Sequence, residues 1–247
     1  MKKLIVVTII LLISLVGAQA IFADEFNHLE AKIKKSAASL KANVAVKQVN
    51  EPVFPVSKLL DVPLIRQMDP PFLHNGCEVT SLAMILNYSG IKVTKNELAN
   101  QIQTVPFTYS NGLKGNPNVG FVGDMANGPG YAAYNGPIFK LAAKYAGEKA
   151  DNLTGSPFTD LLKQVARGRP VWIITTVEFA PVSDFETWDT PQGKMQITYS
   201  EHSVVITGYD QDSIYINDPY GDKNKKLNRV AFEKAWEQMG KQAIVIE

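Results

Sequence analysis

Asn75-Gly76-Cys77-Glu78-Val79-Thr80-Ser81-Leu82-Ala83-Met84-Ile85-Leu86-Asn87-Tyr88 is a turn that runs straight into a helix. Asn-Gly is a strong turn signal, and Val79, Leu82, Ala83 and Leu86 recur at helical spacing. Gly90 supplies the stop. The chain's single cysteine therefore stands at the N-terminus of a buried helix. Unpaired N–H groups and the positive end of the macrodipole favour a thiolate there.

Two further residues fit a site built around that thiol. His202 opens the strand-like run His202–Tyr209, and Asp218 closes the next, Ser213–Asp218. A turn centred on Gln211 pairs His202 with residue 220, or with residue 218 for a slightly different turn. His202 and Asp218 then meet at one end of a sheet, where Pro219 stops the strand. A cysteine nucleophile, a histidine base and a carboxylate that orients the base form a chemically sufficient set. Gln67 is either a surface residue or an amide donor to an oxyanion, beside the Cys77 N–H. His74 is read as a loop or rim residue.

The chain has 247 residues, 45% of them hydrophobic, which suffices for one sizeable core. A net charge of +1 argues against a nucleic-acid partner. Residues 1–23 hold only Lys2 and Lys3 as charges, so the remainder carries −1. Met1-Lys2-Lys3, the apolar run Leu4–Val16 and Gly17-Ala18-Gln19-Ala20 have the layout of a secretory signal over 1–23. The alternative is an uncleaved anchor, which would put the protein at a membrane. Either places the domain outside the cytoplasm, secreted or at the cell surface. One cysteine cannot form an internal disulfide.

Residues 24–57 are expected to form a spacer or a pro-segment. Phe26, Leu29, Ile33, Ala37 and Leu40 predict a short amphipathic helix, and Pro52 and Pro55 end it. The folded domain is expected over 58–247. It begins with a strand at Leu60–Ile65 and a helix at Thr94–Gln103, capped by Thr94 with Glu97 three residues on. Long loops over 105–136 and 178–196 carry Phe107, Tyr109, Phe121, Tyr131, Tyr134, Phe185 and Trp188, as cleft walls or as loop packing. Helices are predicted at Pro137–Tyr145, Phe158–Arg167 and 229–239, and strands at Val171–Val177, 202–209, 213–217 and 242–246. Helices come first and strands second, an α+β pattern.

Other chemistries find no footing. Asp210-x-Asp212 resembles the start of a calcium loop, but Tyr215 stands where glycine is required. One cysteine and three scattered histidines do not have zinc-site spacing. No metal and no cofactor is expected.

Val62-Pro63-Leu64-Ile65, Gln67, Asn75–Met84, Gly115–Asp124, Glu201–Asp210 and Asn217-Asp218-Pro219 together resemble the papain-fold cysteine peptidases related to bacteriocin double-glycine leader peptidases. The similarity is closest to their stand-alone, exported bacterial branch. It implies a papain-like α+β fold with the nucleophile at a helix N-terminus, packed on a C-terminal antiparallel sheet. It also implies Cys77 as nucleophile, His202 as base, Asp218 as orienting acid and Gln67 as oxyanion donor. Leader peptidases proper are fused to a transporter that supplies their substrate, and this sequence contains none, so the resemblance does not fix a double-glycine substrate. The expectation is an exported peptidase acting on peptide or protein, with cell-wall peptide among the candidates. A cell-wall amidase or transpeptidase with the same triad, and a non-catalytic binding module on this scaffold, are the alternatives.

Overall fold

The computed structural model describes residues 28–39 and 54–247. The chain divides into two units, Met1–Val53 and Phe54–Glu247. In the first, residues 28–39 form a helix (α1) that exposes Leu29 and Ile33. The segment read as a signal, 1–23, lies outside the described residues, as do Phe26 and Leu40 of the predicted amphipathic stripe.

The second unit is built on an antiparallel sheet. Its strands are β1 (Lys58–Leu59), β4 (Ala150–Asn152), β5 (Val171–Thr176), β8 (Glu201–Tyr209), β9 (Ser213–Asn217), β10 (Lys225–Asn228) and β11 (Ala243–Ile246). The order is β10-β9-β8-β5-β11-β4, with β1 also on β8. Every residue of β5 and β8 is buried. Strands buried on both faces lose the alternation of a half-exposed sheet and read as continuous apolar runs, as Val171–Thr176 does. The helices α2 (Cys77–Tyr88), α5 (Phe158–Ala166) and α6 (Arg229–Gln238) pack on these two strands. Phe158 joins α5 to α6 by ring contacts with Phe232 and Trp236 at 6.3 and 5.3 Å.

Helix α2 is the core helix, with Cys77 through Leu86 all buried. It is enclosed by protein on all sides, so its buried polar residues Glu78 and Ser81 need partners within the fold. Two polar contacts fix its position against the sheet. The Ser81 hydroxyl donates to the Ser203 carbonyl on β8 at 3.1 Å. The Trp172 indole on β5 donates to the Glu78 carbonyl at 3.0 Å. Gly76, which starts the helix, is held against its neighbours. A Cβ there would lie 2.6 Å from Leu73 Cβ and 3.3 Å from Met125 Sδ.

Several boundaries differ from expectation. Leu60–Ile65 is not a strand; β1 covers only Lys58–Leu59. Backbone pairing reaches Leu60, whose N–H donates to the Thr207 carbonyl at 2.8 Å. Pro63 has no N–H to offer, and a side chain takes over instead: Asn217 Nδ2 donates to the Val62 carbonyl at 3.0 Å. The predicted Thr94–Gln103 helix shrinks to α3 (Lys95–Ala99), although its Thr94/Glu97 capping box forms in full. The chain must turn there so that Ile102 enters the core before β2 (Thr104–Val105) pairs in parallel with β3 (Phe121–Val122). The 178–196 excursion is largely a hairpin of β6 (Glu186–Thr190) and β7 (Gly193–Ile197). The remaining helix, α4 (Asn135–Ala146), includes the predicted Pro137–Tyr145.

Gly76→Ala forces Leu73 or the start of α2 to move, so unfolding free energy falls by about 1–3 kcal/mol. Chemical denaturation measures this. A variant as stable as the native chain contradicts the close approach.

Candidate active site

Cys77 is the first residue of α2. Its N-cap, Gly76, adopts φ −110°, ψ 28° and offers no side-chain cap. The first-turn N–H groups therefore lack an N-cap side-chain acceptor and can serve a developing negative charge. The thiol lies at a cleft of about 110 Å³ lined by Gln67, His74, Asn75, Gly130, Tyr131 and Glu201, with Tyr199 and Tyr220 at its edge.

The β8–β9 register brings His202 and Asp218 together. Val205 pairs with Asn217 and Ile206 with Ile216, which extrapolates to His202 opposite Tyr220. Asp218 is then its diagonal neighbour on the same face, within side-chain reach. His202 Nε2 and Asp218 Oδ1 are 2.9 Å apart, both buried. This fits the register expected from a turn centred on Gln211; a bulge between Ile206 and Gly208 absorbs the one-residue offset nearer the turn. Asp218 Oδ1 also accepts from the Tyr220 N–H at 2.9 Å. Burial pushes the Asp218 carboxyl up, but the hydrogen bond and charge of His202, the Tyr220 N–H and Lys225 outweigh it and hold it below the usual range. Tyr220 stacks on the imidazole, ring centres 4.8 Å apart at 15°. Phe179 also contacts it at 6.3 Å, from a backbone with φ 53°. With Nε2 committed to Asp218, Nδ1 is the ring nitrogen outside that bond.

Gln67 is not a surface residue. It is buried, its N–H donates to the Pro219 carbonyl at 2.9 Å, and its carbonyl accepts from the Leu73 N–H at 3.0 Å. That backbone bond ties it directly to the turn after Asp218. Its Nε2 donates to the carbonyls of His74 at 3.0 Å and Leu73 at 3.3 Å. His74 is exposed at the cleft rim, as expected, against Phe72 at 6.1 Å.

The electrostatics around Cys77 reverse one expectation. Its pKa is raised well above that of a free thiol, first by burial and then by the charges of Glu78 and Glu201; a backbone hydrogen bond with Ser203 opposes this more weakly. The thiol donates to Glu78 Oε2 at 3.4 Å, and Glu78 Oε1 accepts from the Ala133 N–H at 2.7 Å. Burial lifts the Glu78 carboxyl to about 7, against the pull of its own N–H, the Ala133 N–H and the thiol. Burial and Glu78 also lift Glu201. Burial leads, the two acidic neighbours add to it, and the thiol rests protonated. Glu201 went unassigned from sequence. The available signal is a glutamate one residue before His202, at the start of a strand that runs on into Val204-Val205-Ile206.

The loop aromatics divide between the two expected roles. Tyr131 lines the cleft and packs against Trp188 with rings tilted at 58° and centres 5.0 Å apart, while Phe107 and Trp188 pack edge to face at 5.6 Å. Val105, Val122, Tyr131, Tyr134, Trp188 and Ile197 form a small second core. Phe121 packs in the main core, and Phe185 and Tyr134 line a separate cleft of about 270 Å³.

The chain is similar to known proteins. A crystal structure from Bacillus anthracis, whose own assignment as a C39-like peptidase is provisional, is 49% identical and superimposes with a TM-score of 0.75. The match covers 77% of this chain and 97% of that one. The uncharacterized protein YvpB of Bacillus subtilis (strain 168) is 61% identical over 191 residues, 77% of this chain and 76% of its own length. A double glycine motif protease from an AMS/PCAT transporter, solved with its leader peptide, is 20% identical over 79% of this chain and 97% of that one, with a TM-score of 0.43. The model of the Peptidase_C39 like family matches residues 59–244, and the chain, with its papain-like cysteine-peptidase fold, belongs to that family.

Proposed function

We propose that this protein is an exported cysteine peptidase that hydrolyses peptide bonds through an acyl-enzyme. The observation that carries this is the buried 2.9 Å contact between His202 and Asp218, on the strand against which the Cys77 helix is packed. Asp218 accepts from His202 Nε2–H and so fixes the tautomer in which Nδ1 is the base. Nδ1 takes the Cys77 proton as the sulfur attacks the substrate carbonyl. Because the thiol rests protonated, this transfer belongs to the attack rather than preceding it as a stored ion pair.

The tetrahedral oxyanion is held by the Cys77 N–H and by Gln67 Nε2 once the amide turns from its resting bonds to the His74 and Leu73 carbonyls, of which the 3.3 Å bond to Leu73 is the weaker. His202 returns its proton to the leaving amine. Water then adds to the thioester with His202 again as base, releasing the acid and the free thiol. Tyr220 on the imidazole face limits solvent access to the His202–Asp218 bond, which strengthens it. Export rests on the layout of residues 1–23, and cleavage there is expected near Ile21 or Asp24.

Asp218→Ala lowers kcat/KM by about 10²–10⁴-fold, whereas Asp212→Ala at the hairpin turn changes it little. Equal losses at equal thermal stability remove Asp218 from the mechanism. Gln67→Ala lowers kcat by about 10²–10³-fold with KM nearly unchanged. A loss confined to KM makes Gln67 a substrate contact instead. The substrate is found by incubating the protein with the secretome of its own culture and sequencing the new N-termini. Termini that appear equally with Cys77→Ala contradict peptidase activity.

A further inference from the structure

Cys77, Glu78 and Glu201 sit closer together than the proposed chemistry uses. The thiol sulfur and one carboxylate oxygen from each glutamate all lie within 4.8 Å of one another, and all three residues are buried. The sulfur is 3.4 Å from Glu78 Oε2. In a tetrahedral zinc site with Zn–S of ~2.3 Å and Zn–O of ~2.0 Å, sulfur and oxygen stand about 3.5 Å apart. The Cys77–Glu78 separation already matches that edge, and Glu201 lies within the 4.8 Å bound of both.

A second observation points to a ligand. Glu201 Oε1 and Gln67 Oε1 are buried with no hydrogen-bond partner. Glu201 is 8% exposed and Gln67 1%, and both line the cleft that reaches Cys77. Buried oxygens are nearly always satisfied, so two orphans in one small cleft mark a place for a positive or donating group. The sulfur and both carboxylates are acceptors once they lose their protons, so a cation completes the set.

We propose that Cys77, Glu78 and Glu201 bind a borderline-soft divalent cation of the zinc class, which ties up the sulfur and reversibly blocks its use as a nucleophile. A single thiolate among carboxylates suits zinc; magnesium and calcium take all-oxygen shells. On binding, the S–H bond is replaced by a metal–sulfur bond and the proton passes to solvent. A fourth ligand would come from the cleft, which Gln67 also lines. This inference rests on the positions of the three side chains and holds whether or not Cys77 is a peptidase nucleophile.

The test uses the full chain, reduced and stripped with chelator, then titrated with Co²⁺. One cobalt per chain should bind with a near-ultraviolet thiolate-to-cobalt band and visible bands of tetrahedral intensity, and Zn²⁺ should bleach both. Glu201→Gln and Glu78→Gln, which keep side-chain shape, should each weaken binding about tenfold or more. Native chain alkylated at Cys77 should give no thiolate band, a control that needs no folded variant. Absence of the band in the native chain overturns the site. So does cobalt binding that is as tight in both glutamine variants as in the native chain.

Discussion

The first turns of α2 are pinned to the middle of the sheet, and the site depends on that attachment. Ser81 donates to the Ser203 carbonyl, and Trp172 donates to the carbonyl of Glu78, so β8 and β5 each hold the same helix end. Ser203 follows Glu201 and His202 on β8. One hydrogen bond therefore sets the spacing between the thiol's helix and the strand that carries the imidazole. The other strand contact comes from β9, whose register delivers Asp218 to His202. Burial makes these bonds costly to break, because each freed carbonyl would have no water to replace its donor.

That same burial shapes the chemistry. A cysteine at an exposed helix end would rest partly ionised. Here burial, and after it the neighbouring Glu78 and Glu201, hold the Cys77 thiol well above its usual range. In the proposed mechanism the sulfur gives up its proton to His202 only as it attacks, so its resting state is protected. Low reactivity at rest suits a thiol that has no second cysteine to rescue it from oxidation.

Much of this was legible in the chain because the signals were local. The Cys77 helix, the strands Val171–Thr176 and Ser213–Asn217, and the Thr94/Glu97 capping box follow from periodicity, β-branching and capping chemistry. The His202–Asp218 pair needed only a hairpin turn. What escaped was non-local. Strand β4 is three residues long and exists because β11 pairs with it. The cluster of Cys77, Glu78 and Glu201 joins a helix to a strand more than a hundred residues away, and counting histidines and cysteines could not find it. Burial of Gln67 was equally invisible, since it comes from backbone bonds to Pro219 and Leu73.

The central claim is that Cys77 acts as a nucleophile through His202. The most direct measurement is the rate of iodoacetamide labelling of Cys77 in the folded, chelator-treated chain at a fixed neutral pH, compared with His202→Ala. The native protein should label, and loss of the imidazole should slow labelling about tenfold or more, because the thiol then has no base to take its proton. Equal rates in the two proteins, or labelling only after unfolding, would leave Cys77 a buried structural residue.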